Sequence, residues 1–104
     1  MKSENFEITE EMIQEGIKLI LRGRVNATNA DELQSRLEEA INKGQTNVIL
    51  NMLWVEYLCS AGIRVILKAY KGLQASGGRF GIETPSQNVK NVLGMVALNE
   101  MLIN

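Results

Sequence analysis

The sequence contains no histidine. That absence removes Ser-His and Cys-His nucleophile pairs and every imidazole-based metal site. Cys59 is the only cysteine, so no disulfide closes within the chain, and a single thiol fits a reducing compartment. Pro85 is the only proline, and no apolar run exceeds five residues, far short of the roughly 20 needed to cross a bilayer. The opening residues, MKSENFEITEE, lack the apolar stretch of a secretory signal. A cytoplasmic protein without membrane insertion is the expectation. Eleven lysines and arginines stand against 12 acids, a net charge of −1, so the basic excess of a nucleic-acid binder is missing. No glycine-rich phosphate loop is present, because Gly77-Gly78 lies in a turn before a strand. The acids fall mostly on the first predicted helix or beside turns. The sequence therefore predicts no catalytic residue, no cofactor and no metal, and a binding role rather than an enzyme.

What is present reads as one α/β domain over residues 1–104, with 45% apolar and 22% charged residues and no linker or repeat. Phe6 and Ile8 alternate with polar residues as a short strand, and Gln14-Glu15-Gly16 reads as a turn. Ile17, Leu19 and Leu21 make a second strand of a hairpin, followed by a loop from Gly23 to Asn29. The first helix starts near Thr28 or Asn29, with capping-box spacing from Asn29 to Glu32, a stripe of Leu33, Leu37, Ala40 and Ile41, and Gly44 as terminator. Asn47 to Leu53 is short and nearly all apolar, as in a central strand covered on both faces. The second helix spans about Ser60 to Ala75, with Gly62, Ile63, Ile66, Ala69, Tyr70 and Leu73 inward. Phe80 and Ile82 mark a fourth strand. Thr84-Pro85 starts a third helix striped by Val89, Val92, Leu93 and Val96, and Met101 to Ile103 adds a last strand. The order β-β-α-β-α-β-α-(β) predicts a mixed sheet of four to five strands with helices packed on it and right-handed crossovers.

The stretch from Leu53 to Lys71 is the most informative. A buried strand ends, a loop follows, and Ser60 sits where a helix begins. One reading makes Ser60 an N-cap, its oxygen accepting from an unpaired backbone N–H. The other makes it a phosphate acceptor, since a helix N-terminus stabilises an anion and phosphoserine brings about −1.5 to −2 charges. Gly62 allows either a partner's close approach or tight helix–sheet packing. Cys59 reads as a small, partly buried residue or as a thiol activated by the helix end. Asn26 and Thr28 lie in a loop at the same end of the sheet, where turn chemistry and partner contact are both open.

On the outer face of the second helix, Arg64, Lys68 and Lys71 follow Ser60 in a basic stripe with Leu67 at its edge. This is either a solvated face or a docking patch. Trp54 and Tyr57 fall in the loop before that helix. Tyr57 is expected to pack inward, and Trp54 to be either a core lid or an interface anchor. The methionines at 12, 52, 95 and 101 read as core filler.

Cys59-Ser60-Ala61-Gly62-Ile63, after the strand and Val55-Glu56-Tyr57-Leu58, resembles the signature of STAS-domain anti-sigma-factor antagonists: Asp-Ser-Ser/Thr/Ala-Gly-hydrophobic opening a helix. Gly23-Arg24-Val25-Asn26-Ala27-Thr28-Asn29-Ala30 is similar to the family's Gly-x-hydrophobic-Asp-x-x-Thr/Asn loop. Gly77-Gly78-Arg79-Phe80 and the helix from Ser86 to Val96 also fit, so the resemblance covers nearly the whole chain. It implies a switch: such a protein binds an anti-sigma factor that is also a serine kinase, is released by phosphorylation, and is restored by a serine phosphatase. By position the acceptor is Ser60. Partner contacts then fall on Asn26, Thr28, Cys59 and Ser60 in the loops, and on Gly62, Arg64, Leu67 and Lys68 in the helix.

The chain departs from the family at two positions that usually carry aspartate, Cys59 and Asn26. Both lie beside the acceptor, so kinase recognition is affected more than binding. The departures keep a second expectation in view, an accessory STAS subunit of a membrane lipid or anion transport complex that docks on its ATPase without phosphorylation.

Overall fold

The computed structural model describes residues 6–95. They form four strands and three helices: β1 Phe6–Ile13, β2 Gly16–Val25, α1 Ala30–Asn42, β3 Asn47–Leu58, α2 Ser60–Ala75, β4 Arg79–Glu83 and α3 Gln87–Met95. This is the expected mixed α/β order. The anticipated strand at Met101–Ile103, with Val96 and Met101, lies outside the described residues.

The strands lie side by side in chain order, β1-β2-β3-β4. β1 and β2 form an antiparallel hairpin in which Ile13 pairs with Gly16, so the turn is only Gln14-Glu15, with Glu15 at φ 61°. β2 pairs with β3, and β3 with β4, in parallel. With monotonic order and right-handed crossovers, α1 and α2 fall on the same face and pack against each other. Beneath them the strands contribute Ile17, Leu19, Leu21, Val48, Leu50, Met52, Phe80 and Ile82, which join Leu33, Leu37, Ile66 and Leu73 in one core. α3 packs on β3 through the buried Val89 and Leu93.

Several boundaries differ from expectation for definable reasons. β2 runs on to Val25 and β3 to Leu58, so the anticipated loop from Gly23 shrinks to residues 26–29. β3 is not covered on both faces: Val48, Leu50 and Met52 are buried, whereas Asn47, Ile49 and Asn51 alternate with them as half-buried residues. α1 begins at Ala30 and makes no capping box, because the Asn29 side chain turns back into the preceding loop. It stops at Gly44, whose φ of +86° allows its N–H to reach the Ile41 carbonyl while Gln45 N–H reaches that of Ala40. The cap of α3 is Ser86 rather than Thr84: Ser86 Oγ accepts from Val89 N–H at 3.2 Å and donates to the Val55 carbonyl at 2.6 Å. Met52 fills the core as expected, but Met12 is 68% exposed.

The face opposite α1 and α2 is tied by a polar row. Lys18 Nζ meets Glu83 Oε2 at 2.9 Å, and Asn51 Nδ2 donates to the same carboxylate oxygen at 3.0 Å. The bond to Glu83 raises the Lys18 pKa above its ordinary 10.5. The bond from Lys18, then that from Asn51, holds Glu83 below its ordinary 4.5. Lysine stabilisation is complete below its ordinary pKa and disappears as pH rises through the higher folded value. Glutamate stabilisation is complete above its ordinary pKa and disappears as pH falls through the lower folded value. The pair therefore contributes fully between 4.5 and 10.5. Glu83→Gln is expected to cost about 1 kcal/mol at neutral pH, a difference that shrinks as pH falls below 4.5 and through the lower folded value. Urea unfolding at neutral and at acid pH measures it, and an unchanged difference would assign the loss to something other than this pair.

Candidate functional site

The C-terminal ends of β2 and β3 open into two loops that are bonded to each other. Cys59 N–H donates to the Val25 carbonyl at 2.9 Å, so the turn into α2 is held against the exit of β2. Asn26 therefore follows directly from the residue that anchors Cys59. The 26–29 loop is itself cross-braced. Asn26 Oδ1 accepts from the N–H of Thr28 at 2.9 Å and of Asn29 at 3.1 Å, and Asn26 N–H donates to Asn29 Oδ1 at 2.9 Å. Asn29 Nδ2 donates to the Arg24 carbonyl at 2.8 Å.

Asn29 is the buried polar residue among those described, and no single-residue signal distinguishes it from an ordinary N-cap. Its role as the pin of the loop follows from both ends of its amide being used at once. Asn26 thus has a turn role in the structure, its oxygen committed to two N–H groups, while Thr28 is exposed.

Ser60 is the first residue of α2, and the N-cap is Cys59, in extended geometry at φ −82° and ψ 170°. The N-cap expectation for Ser60 is corrected accordingly: its side chain caps nothing. Ser60 is exposed, and among the described residues its hydroxyl has no hydrogen-bond partner. The first intrahelical bond is made by Ile63 N–H to the Cys59 carbonyl, which leaves the N–H groups of Ser60, Ala61 and Gly62 unused by the helix. No acid lies in that first turn. Cys59 is free and half-buried.

The other candidates separate. Arg64, Lys68 and Lys71 are exposed, and Leu67 is half-buried. Lys68 Nζ stands 3.9 Å from Glu38 Oε2 of α1, a loose pair with both side chains more than half exposed. Gly62 packs against the sheet. It is buried, and a β-carbon there would lie 2.7 Å from Val25 Cγ1 and 2.9 Å from Leu58 Cδ1. Its lack of a side chain lets α2 sit directly on the ends of β2 and β3, which fixes where Ser60 emerges. Tyr57 and Trp54 belong to β3 rather than to a loop. Tyr57 is 42% exposed instead of inward-packed, because the register break between Gly23 and Arg24 sets it opposite Arg24, whose guanidinium lies 4.7 Å over its ring.

Between the first turns of α1 and α2 lies a hollow of about 230 Å³, walled by Ala27, Ala30 and Asp31 on one side and by Ala61, Arg64 and Lys68 on the other. Alanines keep the helices close at their bases, and the charged tips rise above them. The surface thus combines an unengaged hydroxyl, unused helix N–H groups, two guanidinium or ammonium groups and a shallow apolar floor. That combination suits recognition of a protein surface and stabilisation of an added anion. Among the described residues no helix is long and apolar enough to cross a membrane.

A STAS domain model matches residues 7–103 of the chain. A Bordetella bronchiseptica protein described as a candidate anti-sigma factor antagonist, BtrV, is 33% identical over 72 residues, 69% of this chain. That match spans 62% of BtrV's own length. The anti-sigma factor antagonist SpoIIAA in its unphosphorylated form superposes with a TM-score of 0.82 at 22% identity, over 93% of this chain and 86% of SpoIIAA. The phosphorylated form of SpoIIAA, a Bacillus cell fate determinant, superposes with a TM-score of 0.77 at 22% identity, over 93% and 89% of the two chains. At that identity the structural likeness establishes the shared fold, and the model match, spanning nearly all of the sequence, establishes the family. The chain belongs to the STAS domain family.

Proposed function

We propose that this chain is an anti-sigma-factor antagonist. It binds an anti-sigma factor, itself a serine kinase, through the surface around Ser60. Phosphorylation of Ser60 by that kinase ends the binding, and a serine phosphatase restores it. The observation that carries the reading is the Ser60 hydroxyl, exposed at the start of α2 with no hydrogen bond among the described residues. A structural serine at a helix start would be expected to use its oxygen on the backbone. This one leaves it available for transfer of a phosphoryl group.

A phosphate on Ser60 would sit beside the unused N–H groups of the first turn, with Arg64 one turn along. The added charge of about −1.5 to −2 would change the field over the surface that meets the partner. Contacts are assigned to Asn26, Thr28 and Cys59 in the bonded loops and to Arg64, Leu67 and Lys68 along α2. Asn26 at a position usually acidic in the family is structurally conservative, since an aspartate would accept the same two loop N–H bonds. The names of the relatives support the reading, and SpoIIAA has been solved in both phosphorylation states.

The test is intact-mass analysis of the protein recovered from its host. The wild type is expected to carry a single phosphate mapped to Ser60, and Ser60→Ala none. A phosphate mapped elsewhere, or none under every growth condition, would overturn the switch and favour the accessory transport subunit.

A further inference from the structure

α1 and α2 run in the same direction over the sheet, because each returns from one parallel strand to the next. Farther along the pair, Leu37 and Ile41 of α1 and Val65, Ala69 and Gly72 of α2 floor a second hollow of about 200 Å³. It shares Gln34, Val65 and Lys68 with the hollow between the first turns, so the two form one groove. From Ala30 to Ile41, and from Ala61 to Gly72, that groove is about 16 Å long, three helical turns. Its walls differ in sign: Asp31 and Glu38 rise on the α1 side, Arg64 and Lys68 on the α2 side, all exposed. Glu38 and Lys68 meet across it loosely, at 3.9 Å, and a pair so exposed opens readily. Among the described residues Asp31 and Arg64 make no ion pair. Gly72 has no packing reason to be glycine: it is helical, and an added β-carbon would meet nothing within 4 Å. Glycine inside a helix weakens it relative to alanine, so here it costs stability and keeps the floor open.

We propose that this groove receives an amphipathic helix of the anti-sigma factor. That helix is apolar on the face that enters the groove, basic on the flank over α1 and acidic on the flank over α2. Helix-in-groove recognition uses anchors at i, i+3, i+4 and i+7, a span that three turns of groove accommodate. The alanines and Gly72 let the incoming backbone come close, and an aliphatic anchor fills the hollow beside Gly72. Because the walls differ in sign, charge also fixes the direction of the helix, since reversal would set like charges together. A second copy of this chain does not supply such a helix. The large apolar side chains exposed among the described residues, Met12, Leu53, Trp54 and Tyr57, all lie on strands. Two grooved faces laid together would moreover enclose a void, which close packing disfavours. The inference rests on the reading above for the owner of the helix, because the groove begins at Ala61, next to Ser60.

The probe is a stapled peptide helix of about four turns, with a leucine stripe, lysines on one flank and glutamates on the other. Titrated into the isotope-labelled full chain, it is expected to approach saturation below about 1 mM and to shift the amide signals of Leu37, Ala69 and Gly72. Peptides with lysine on both flanks, or glutamate on both, are expected to bind at least about fivefold more weakly. Gly72→Leu fills the hollow from an open position, so it is expected to weaken binding of the probe at least about tenfold without lowering the melting temperature. No binding at about 1 mM, equal binding by Gly72→Leu, or indifference to the flanking charges would overturn the proposal. A wild-type dimer that Gly72→Leu dissociates would overturn it too, and would give the groove to a second copy. The probe needs neither a phosphate nor the anti-sigma factor. Its failure therefore strikes the groove alone, whereas a missing phosphate on Ser60 strikes the switch and leaves the groove without its assigned owner.

Discussion

Gly16→Ala is expected to lower the melting temperature by about 12–24 °C, from a loss of about 3 kcal/mol. Gly16 opens β2 directly opposite Asn47, and an added β-carbon would lie 1.8 Å from the Asn47 carbonyl oxygen and 2.7 Å from its carbon. The obstacle is backbone, so no rotamer change relieves it. Nor is Asn47 free to retreat. It pairs with Arg79 of β4 on its far side, Arg79 N–H donates to the Thr46 carbonyl at 2.7 Å, and Thr46 Oγ1 donates to the Glu15 carbonyl at 3.2 Å. The start of the sheet is therefore clamped from both sides. Gly72→Ala is the control: it lies within α2 with nothing within 4 Å of its added carbon, and alanine there is expected to stabilise by about 0.5–1 kcal/mol. Thermal melts followed by circular dichroism decide the matter. A Gly16→Ala melt within about 3 °C of the wild type would show that the strand ends can part without cost.

Ser60→Asp is expected to reduce affinity for the anti-sigma factor about 100-fold, close to 2.7 kcal/mol, while leaving the fold unchanged. The two halves of that statement rest on different observations. Stability holds because the Ser60 side chain makes no bond to lose, and because the first turn of α2 contains no acid to repel a new one. A carboxylate at that end of a helix is favourable by a few tenths of a kcal/mol. Affinity falls because the charge enters the centre of the surface proposed to meet the partner, where like charges or unmatched desolvation cost several kcal/mol. Ser60→Ala separates charge from contact: it should retain wild-type affinity and resist phosphorylation. Calorimetric titration of both variants into the anti-sigma factor measures this. Equal binding by Ser60→Asp and wild type would remove Ser60 from the interface.

The parts of this structure that were legible in the sequence are those where side chains keep a regular period. Ile17, Leu19 and Leu21 mark β2 by alternation, and Leu33, Leu37 and Ala40 mark the buried stripe of α1. The far half of β3 hid because its register against β2 breaks twice, between Ile20 and Arg22 and between Gly23 and Arg24. Each break inserts one β3 residue, so burial falls on Met52, Val55 and Leu58 at every third position. A period of three does not read as a strand, and from sequence Trp54 and Tyr57 therefore read as loop residues. Local chemistry placed Ser60 at a helix start but not which residue caps it, since a cap depends on backbone angles that Cys59 adopts under the Val25 bond. The role of Gly62 was a matter of which face of α2 met β2, and that is settled by tertiary packing alone.

The strictly sequential strand order also shapes how the chain is made. Among the described residues every strand pairs only with its neighbours in sequence, so none of these four edges waits for a strand far along the polypeptide. Such local connectivity belongs to the faster-folding mixed α/β topologies. During synthesis the hairpin is complete once β2 has emerged, and β3 docks on it across a single helix. The apolar edge of β3 then stands open while α2 and β4 are added, the 25 residues from Cys59 to Glu83. At about 5–20 residues per second that exposure lasts roughly 1–5 s, a brief interval in which a nascent chain offers an unpaired strand to its neighbours.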